Sequence, residues 1–167
     1  NAWSYEMSGK KFIDLVQLFA SNIQKAAPGD PCLFFNDKLA PFLASQATYI
    51  EPLQNAGIKL ILNVLGDHKG IGISNLPSSL FSKFAALLTS IVKEYGLDGI
   101  GFDDEYADYS TPIDPTSASK LVLKLREKFN AEFPGERKII QMFEWNYASN
   151  ISAAAGAEID LADHGLF

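Results

Sequence analysis

Apolar residues along this chain fall into two patterns, short dense runs and longer stretches at helical spacing. Five dense runs recur: Phe12 to Ala20 (FIDLVQLFA), Ile58 to Leu65 (IKLILNVL), Leu97 to Asp103 (LDGIGFD), Lys138 to Phe143 (KIIQMF) and Glu158 to Ala162 (EIDLA). Each predicts a strand. Near-continuous runs such as LILNVL suit strands covered on both faces, as in parallel sheets, better than half-wet antiparallel ones. The connectors predict helices. Leu39 to Asn55 sets Leu39, Phe42, Leu43, Tyr49, Ile50 and Leu53 near helical spacing, with Gly57 just past its end and Pro52 placed to kink or end it early. Pro77 to Tyr95 carries one apolar stripe of Leu80, Phe81, Phe84, Leu87, Leu88, Ile91, Val92 and Tyr95, with Ser78 or Ser79 as its expected N-cap and Gly96 at its end. Thr116 to Phe129 repeats the pattern with Leu121, Val122, Leu125 and Phe129, and Pro134-Gly135 stops it. A small hairpin is expected where the polar stretch Asn22 to Asp30 runs into Cys32 to Phe35.

Strand alternating with helix is the mark of α/β architecture with right-handed crossovers. With no low-complexity tract or linker, residues 1–167 read as a single domain. Alternation alone leaves open whether the sheet is open or closed. A complete eight-fold barrel takes about 250 residues, so a barrel here is expected to be incomplete.

Composition narrows the partners. Apolar residues make up 47% and charged residues 20%, which excludes a disordered or collagen-like chain. The formal charge is −6, from 14 basic and 20 acidic residues, and no Lys/Arg run offsets it, so nucleic acid and anionic membrane are not expected partners. No apolar run approaches the roughly 20 residues that cross a bilayer, so no membrane insertion is expected. The first residues, NAWSYEMSGKK, lack the basic-then-apolar order of a signal peptide. The lone Cys32 has no second thiol for an internal disulfide or a Cys-based zinc site.

The densest chemistry lies in LDGIGFDDEYADY, Leu97 to Tyr109. If Ile100 to Glu105 continues as a strand, Gly101, Asp103 and Glu105 share one face while Ile100, Phe102 and Asp104 share the other. Two carboxylates then converge at the carboxyl end of a parallel strand, where open sheets and barrels alike place ligands. Repulsion between neighbouring carboxylates raises the pKa of one, which is how a Glu holds a proton near neutral pH and serves as general acid. The plainer reading is a solvated acidic loop at the start of a helix.

LDGIGFDDEYADY resembles the signature of glycoside hydrolase family 18, Asp-Gly-x-Asp-x-Asp-x-Glu, and more closely that family's endo-β-N-acetylglucosaminidase branch (endoglycosidase H/F-like), in which Asp-Asp-Glu-Tyr is typical. Asp98, Gly99, Asp103 and Glu105 match the signature, and Gly101 stands where the family has its middle Asp. Ile58 to Ser78 is similar to the branch's third strand and following loop, and Phe12 to Ile23 to its second strand, so the likeness runs over roughly residues 12–144. The resemblance implies a (β/α)8 TIM barrel of which this chain carries about strands two to six. It also implies retaining hydrolysis of the GlcNAc-GlcNAc core of N-linked glycans, in which the sugar's own 2-acetamido oxygen attacks the anomeric carbon. Glu105 would then be acid and base, and Asp103 would orient the acetamido group and stabilise the oxazolinium charge. Asp98 is counted with the substrate-binding set, as a support of the strand from below. No metal and no cofactor are implied. The implied partner is an N-linked glycan or another GlcNAc-containing oligosaccharide, and the implied location is secreted, cell-surface or periplasmic.

On the same resemblance the family's first strand would precede Asn1 and the strands beyond the sixth would follow Phe167. The expectation is a truncated molecule, or two copies that associate through open barrel edges. At the mouth, Phe19, Phe143, Tyr106, Tyr109, Trp145 and Tyr147 are aromatic candidates for stacking on sugar rings, with core packing as the alternative. Glu144 and Trp145 follow a strand directly, and His164 stands where the branch carries an amide that grips the acetamido group. The glycines of Gly66 to Gly72 lack the spacing of a phosphate cradle and read as turns. Three rival functions remain: a glycan-binding, lectin-like member that does not cleave, a chitinase, and a metal-dependent barrel hydrolase using Asp67-His68 and Asp163-His164.

Overall fold

The computed structural model describes residues 4–25, 30–68, 70–105, 107, 109, 112–144 and 150–164. Along the chain come β1 (Glu6–Met7), β2 (Lys10–Lys11), β3 (Leu15–Lys25), β4 (Pro31–Phe35), α1 (Leu39–Ala44), α2 (Gln46–Tyr49) and α3 (Glu51–Asn55). There follow β5 (Lys59–Leu65), α4 (Phe81–Glu94), β6 (Gly99–Asp103), α5 (Ser117–Glu132), β7 (Ile139–Glu144), α6 (Ala153–Gly156) and β8 (Leu161–His164). β1 and β2 form a separate two-stranded ribbon, and the other six strands make one sheet in the order β4-β3-β5-β6-β7-β8.

From β3 to β8 every pairing is parallel, and only β4 runs antiparallel, against β3. The expected hairpin is therefore present, and it lengthens the first strand. Because Ser21 to Lys25 pair with Pro31 to Phe35, β3 continues past Ala20, while Phe12 is left outside it and 62% exposed. At the other end β8 begins at Leu161 rather than Glu158. The Glu158 carbonyl and the Asp160 carboxylate are taken up by Arg126, and the Asp160 amide donates to the Ile140 carbonyl, so this stretch turns before it pairs.

The apolar side chains of the strands go to the helix layer. Leu60, Leu62 and Val64 of β5, Ile100 and Phe102 of β6, and Ile140 and Met142 of β7 are buried there. They meet Phe84, Ala85, Leu88, Ile91 and Val92 of α4 and Leu121, Val122, Leu125 and Phe129 of α5, spaced three and four apart as an amphipathic helix requires. Two details of the helices differ from expectation. Ser78 and Ser79 open a 3-10 turn ahead of α4, with the Leu80 amide on the Pro77 carbonyl, so Leu80 takes the N-cap position and no side chain caps it. The segment 39–55 breaks at Ser45 and Ile50, ahead of Pro52, which sits in the first turn of α3, where its missing N–H costs nothing.

Gly99 explains the glycine of the Asp-Gly pair. A Cβ there would lie 2.7 Å from the carbonyl carbon and 2.8 Å from the amide nitrogen of Ile139 in the neighbouring strand. Backbone cannot swing aside as a side chain can. Gly99→Ala is expected to lower stability by about 3 kcal/mol, the upper end for overpacking, as read from the urea midpoint.

Candidate active site

The inner face of the sheet carries a row of polar positions among apolar ones such as Ile61 and Phe143. Strand alternation turns Gln17 of β3, Asn63 of β5, Gly101 of β6, Gln141 of β7 and Asp163 of β8 to the side away from the helices. Their side chains bond in a row. Gln17 Nε2 donates to Asp163 Oδ2 at 3.0 Å, Gln141 Nε2 donates to the same oxygen at 2.5 Å, and Asn63 Nδ2 donates to Gln17 Oε1 at 3.0 Å. A Cβ on Gly101 would overlap Gln141 Oε1 and stand 3.3 Å from Ile61 Cδ1 and 3.4 Å from Gln17 Oε1. The glycine thus makes room for a neutral amide from the next strand. Among the described residues, Asn63 Oδ1 and Gln141 Oε1 are buried without a hydrogen-bond partner.

Two residues beyond Gly101 on the same face stands Asp103, the last residue of β6. The strand ends there and Glu105 lies in the following turn, so the two acids are set by a turn rather than by a continuing strand. The turn still holds them together, because the Glu105 amide donates to Asp103 Oδ1 at 3.1 Å. Both side chains are half-buried. The Asp103 carboxyl is pushed above the usual carboxylate range, first by burial and then by the neighbouring Glu105 charge, with the Glu105 amide pulling the other way. Burial, more than mutual repulsion, makes this an unusual acid. Asp104 points to the opposite side and is buried.

The remaining candidates divide. Phe19 in β3 is 66% exposed, so it is not a core residue. Phe143 is half-buried in β7, opposite Asp163 of β8 in the register and one residue beyond Met142, which pairs with Phe102. Glu144 and His164 are brought together at the ends of β7 and β8, with His164 Nδ1 3.3 Å from Glu144 Oε2, but alternation sets them on the face opposite Phe143 and Asp163. Tyr106, Trp145 and Tyr147 lie outside the described residues. Asp98 corrects an expectation: it precedes β6 at the end remote from Asp103. Its carboxylate accepts from Lys59 Nζ at 2.8 Å and from the Leu60 amide at 2.9 Å. It fastens the starts of β5 and β6 and is out of reach of a ligand at the mouth. Asp67 is committed to its own loop, where its Oδ1 accepts the Ile71 amide at 2.8 Å. Among the described residues no group of three or more His, Cys, Asp or Glu side chains is placed to hold a metal ion, and no helix is long and apolar enough to cross a membrane.

No family model matches the sequence. Pairwise likeness is nonetheless clear. The chain is 34% identical over 168 residues to an endo-β-N-acetylglucosaminidase of Flavobacterium sp. (strain SK1022), covering 97% of this chain and 52% of that protein. It is also 34% identical over 166 residues to endo-β-N-acetylglucosaminidase F1 of Elizabethkingia meningoseptica, covering 94% of this chain and 48% of the relative. The chain is similar over nearly its whole length to endo-β-N-acetylglucosaminidases. It spans about half the length of these curated relatives. EndoBT-3987 of Bacteroides thetaiotaomicron, solved with a Man9GlcNAc2Asn substrate, superposes with a TM-score of 0.78 at 25% identity, over 98% of this chain and 43% of that one. Its complex with a Man5GlcNAc product gives a TM-score of 0.79 at 26% identity, over 99% of this chain and 40% of that one. The parallel sheet and its outer helices are accordingly arranged as part of a (β/α)8 barrel like that of these solved structures, with Asp103 at the carboxyl end of a strand and Glu105 in the turn after it.

Proposed function

We propose that the full-length protein is an endo-β-N-acetylglucosaminidase that cuts the GlcNAc-GlcNAc core of N-linked glycans with retention of configuration. The observation that carries this reading is the Asp103–Glu105 pair, locked by the Glu105 amide at the end of β6, in a chain one-third identical to two such enzymes. The acetamido oxygen of the sugar attacks the anomeric carbon while the glycosidic C–O bond breaks. Its electron pair goes to the leaving oxygen, which takes the proton of Glu105. Asp103, half-buried, accepts the acetamido N–H and holds the nucleophile in line. The same carboxylate stabilises the positive charge of the oxazolinium, more effectively than in water because the site is partly desolvated. Glu105, now a carboxylate, takes a proton from the incoming water as the water oxygen bonds to the anomeric carbon; the carbon's bond to the acetamido oxygen breaks, its electron pair restores the amide, and the sugar is released. Phe19 and Phe143 offer apolar surface to sugar faces. A secreted, cell-surface or periplasmic location belongs to the same proposal and rests on the resemblance alone.

The test is to offer the full-length protein a high-mannose glycoprotein and a chitin oligomer side by side, with and without a chelator. Release of a glycan that retains one GlcNAc, with no turnover of the chitin oligomer and no effect of chelation, is the expected result. Preferential chitin cleavage, or glycan binding without cleavage, would overturn it.

A further inference from the structure

Between the two acids of the motif stands a third whose side chain goes the other way. Asp104 is only 1% exposed. Ser74 Oγ donates to its Oδ2 at 2.5 Å, and the Tyr109 hydroxyl donates to its Oδ1. The triangle closes where the Ser74 amide donates to the Tyr109 oxygen at 3.1 Å. Ser74 is itself 1% exposed, and its carbonyl accepts the Asp114 amide at 2.9 Å. Next to it, the Ile73 carbonyl accepts the Ser117 hydroxyl at 2.5 Å. The loop after β5 is thus tied down at the start of α5, and the loop after β6 is tied to it.

Two glycines let these loops meet. A Cβ on Gly72 would fall 2.6 Å from the Tyr109 hydroxyl oxygen and 3.0 Å from Asp104 Oδ1. One on Gly66 would fall 3.0 Å from Ala107 Cα. A buried carboxylate is a costly way to fasten two loops, because desolvation opposes its charge, and burial does push the Asp104 carboxyl up. Its position gives it a use that an apolar contact would lack. Asp104 is the residue between the two acids, so pinning its side chain to Ser74 and Tyr109 fixes the stretch of backbone from which Asp103 and Glu105 project.

We propose that the Asp104–Ser74–Tyr109 triangle is a positioning device that acts through the backbone to hold Glu105 and Asp103 in reacting geometry. Asp104, Ser74 and Tyr109 are positioning residues; none of them touches substrate. The inference rests on the function proposed above, and its test is chosen to separate the two.

In the full-length protein, Asp104→Ala, Asp104→Asn, Tyr109→Phe and Ser74→Ala are compared with the parent for kcat, KM, thermal midpoint and amide hydrogen exchange at residues 103–105. Small displacements of reacting groups cost up to about 100-fold in rate. Asp104→Ala is therefore expected to lose kcat on that scale, and Tyr109→Phe about 10-fold, with KM changed by less than about 2-fold at a temperature below every midpoint. Asp104→Asn is expected to keep kcat within about 3-fold of the parent, because Ser and Tyr hydroxyls accept as well as donate and can re-pair with an amide. The Glu105 amide should exchange at least about 10-fold faster in Asp104→Ala than in the parent, since its bond to Asp103 depends on the anchored turn. If Asp104→Ala fails to fold, Tyr109→Phe and Ser74→Ala, which each remove one hydroxyl, carry the same readouts. Unchanged Glu105 exchange, or a lowered thermal midpoint with unchanged kcat, overturns the positioning role. A parent that does not cleave glycans overturns the proposed function instead, and the exchange measurement still decides the triangle.

Discussion

Glu105→Gln is expected to lower kcat on a high-mannose glycoprotein by roughly 10²–10⁴-fold, the usual worth of a positioned general acid, while glycan affinity stays near that of the parent. Glutamine keeps the length and one carbonyl oxygen of Glu105 but has no titrating proton to give the leaving oxygen. The bond from the residue 105 amide to Asp103 Oδ1 is a backbone bond and survives the change, so the loss reports chemistry rather than folding. Measuring kcat and KM separately on a defined glycopeptide checks it. Cleavage by Glu105→Gln as fast as by the parent would remove Glu105 from its role. On the proposed mechanism, in which the sugar carries the nucleophile, cleavage of a substrate whose leaving group needs no proton should be rescued in part.

The largest effect on stability is expected away from the site, at Arg126. This side chain, 3% exposed, projects from α5 to the base of β7 and β8. Its Nη1 donates to the Lys138 carbonyl at 2.7 Å, and its Nη2 to the Glu158 carbonyl at 2.8 Å and to Asp160 Oδ2 at 2.6 Å. Nε lies 3.1 Å from Glu158 Oε2. Arg126→Ala strips three acceptors of their buried donor and Glu158 of an ion-pair partner, and is expected to cost about 3–5 kcal/mol, the range for breaking a buried ion pair from one side. Arg126→Lys should recover little, because a point charge cannot serve acceptors in these different directions.

The pH dependence of stability reports the same cluster. Partial burial pushes the Asp160 carboxyl up, but the Ile140 amide, Arg137 and Arg126 together outweigh it and hold it below the usual carboxylate range. Its contribution is therefore present above the ordinary carboxylate pKa and is lost as pH falls through the lowered value. Urea midpoints should fall less steeply on the acid side in Arg126→Ala than in the parent. Equal midpoints at neutral pH would show that Arg126 is dispensable.

Much of the barrel could be read in advance because its strands are dense apolar runs; LILNVL of β5 is buried throughout. The one side-chain amide in each of three runs, Gln17, Asn63 and Gln141, was in plain view as well. Only the pairing of strands shows that these three fall on one face, with Gln17 and Gln141 sharing Asp163 and Asn63 bonded to Gln17. The acids of β6 were legible from spacing. Their separation by a turn was not, since nothing local marks where pairing with β7 stops. Ser74 could not be tied to Asp104 from sequence, because thirty positions part them and each looks like an ordinary loop residue alone. The breaks at Ser45 and Ile50 escaped for a related reason: Pro52 is the visible breaker, but it sits where a helix tolerates it.

The interlocked loops also bear on engineering. Glycan preference in enzymes of this shape is altered by exchanging surface segments between relatives. Here Gly66, Gly72 and Ser74 are fitted to Asp104, Ala107 and Tyr109 atom against atom, with Gly66 seated on Ala107 and Gly72 on Tyr109. A graft that brings in one segment without its mate would meet a collision or leave a hole, so libraries should draw both from a single donor.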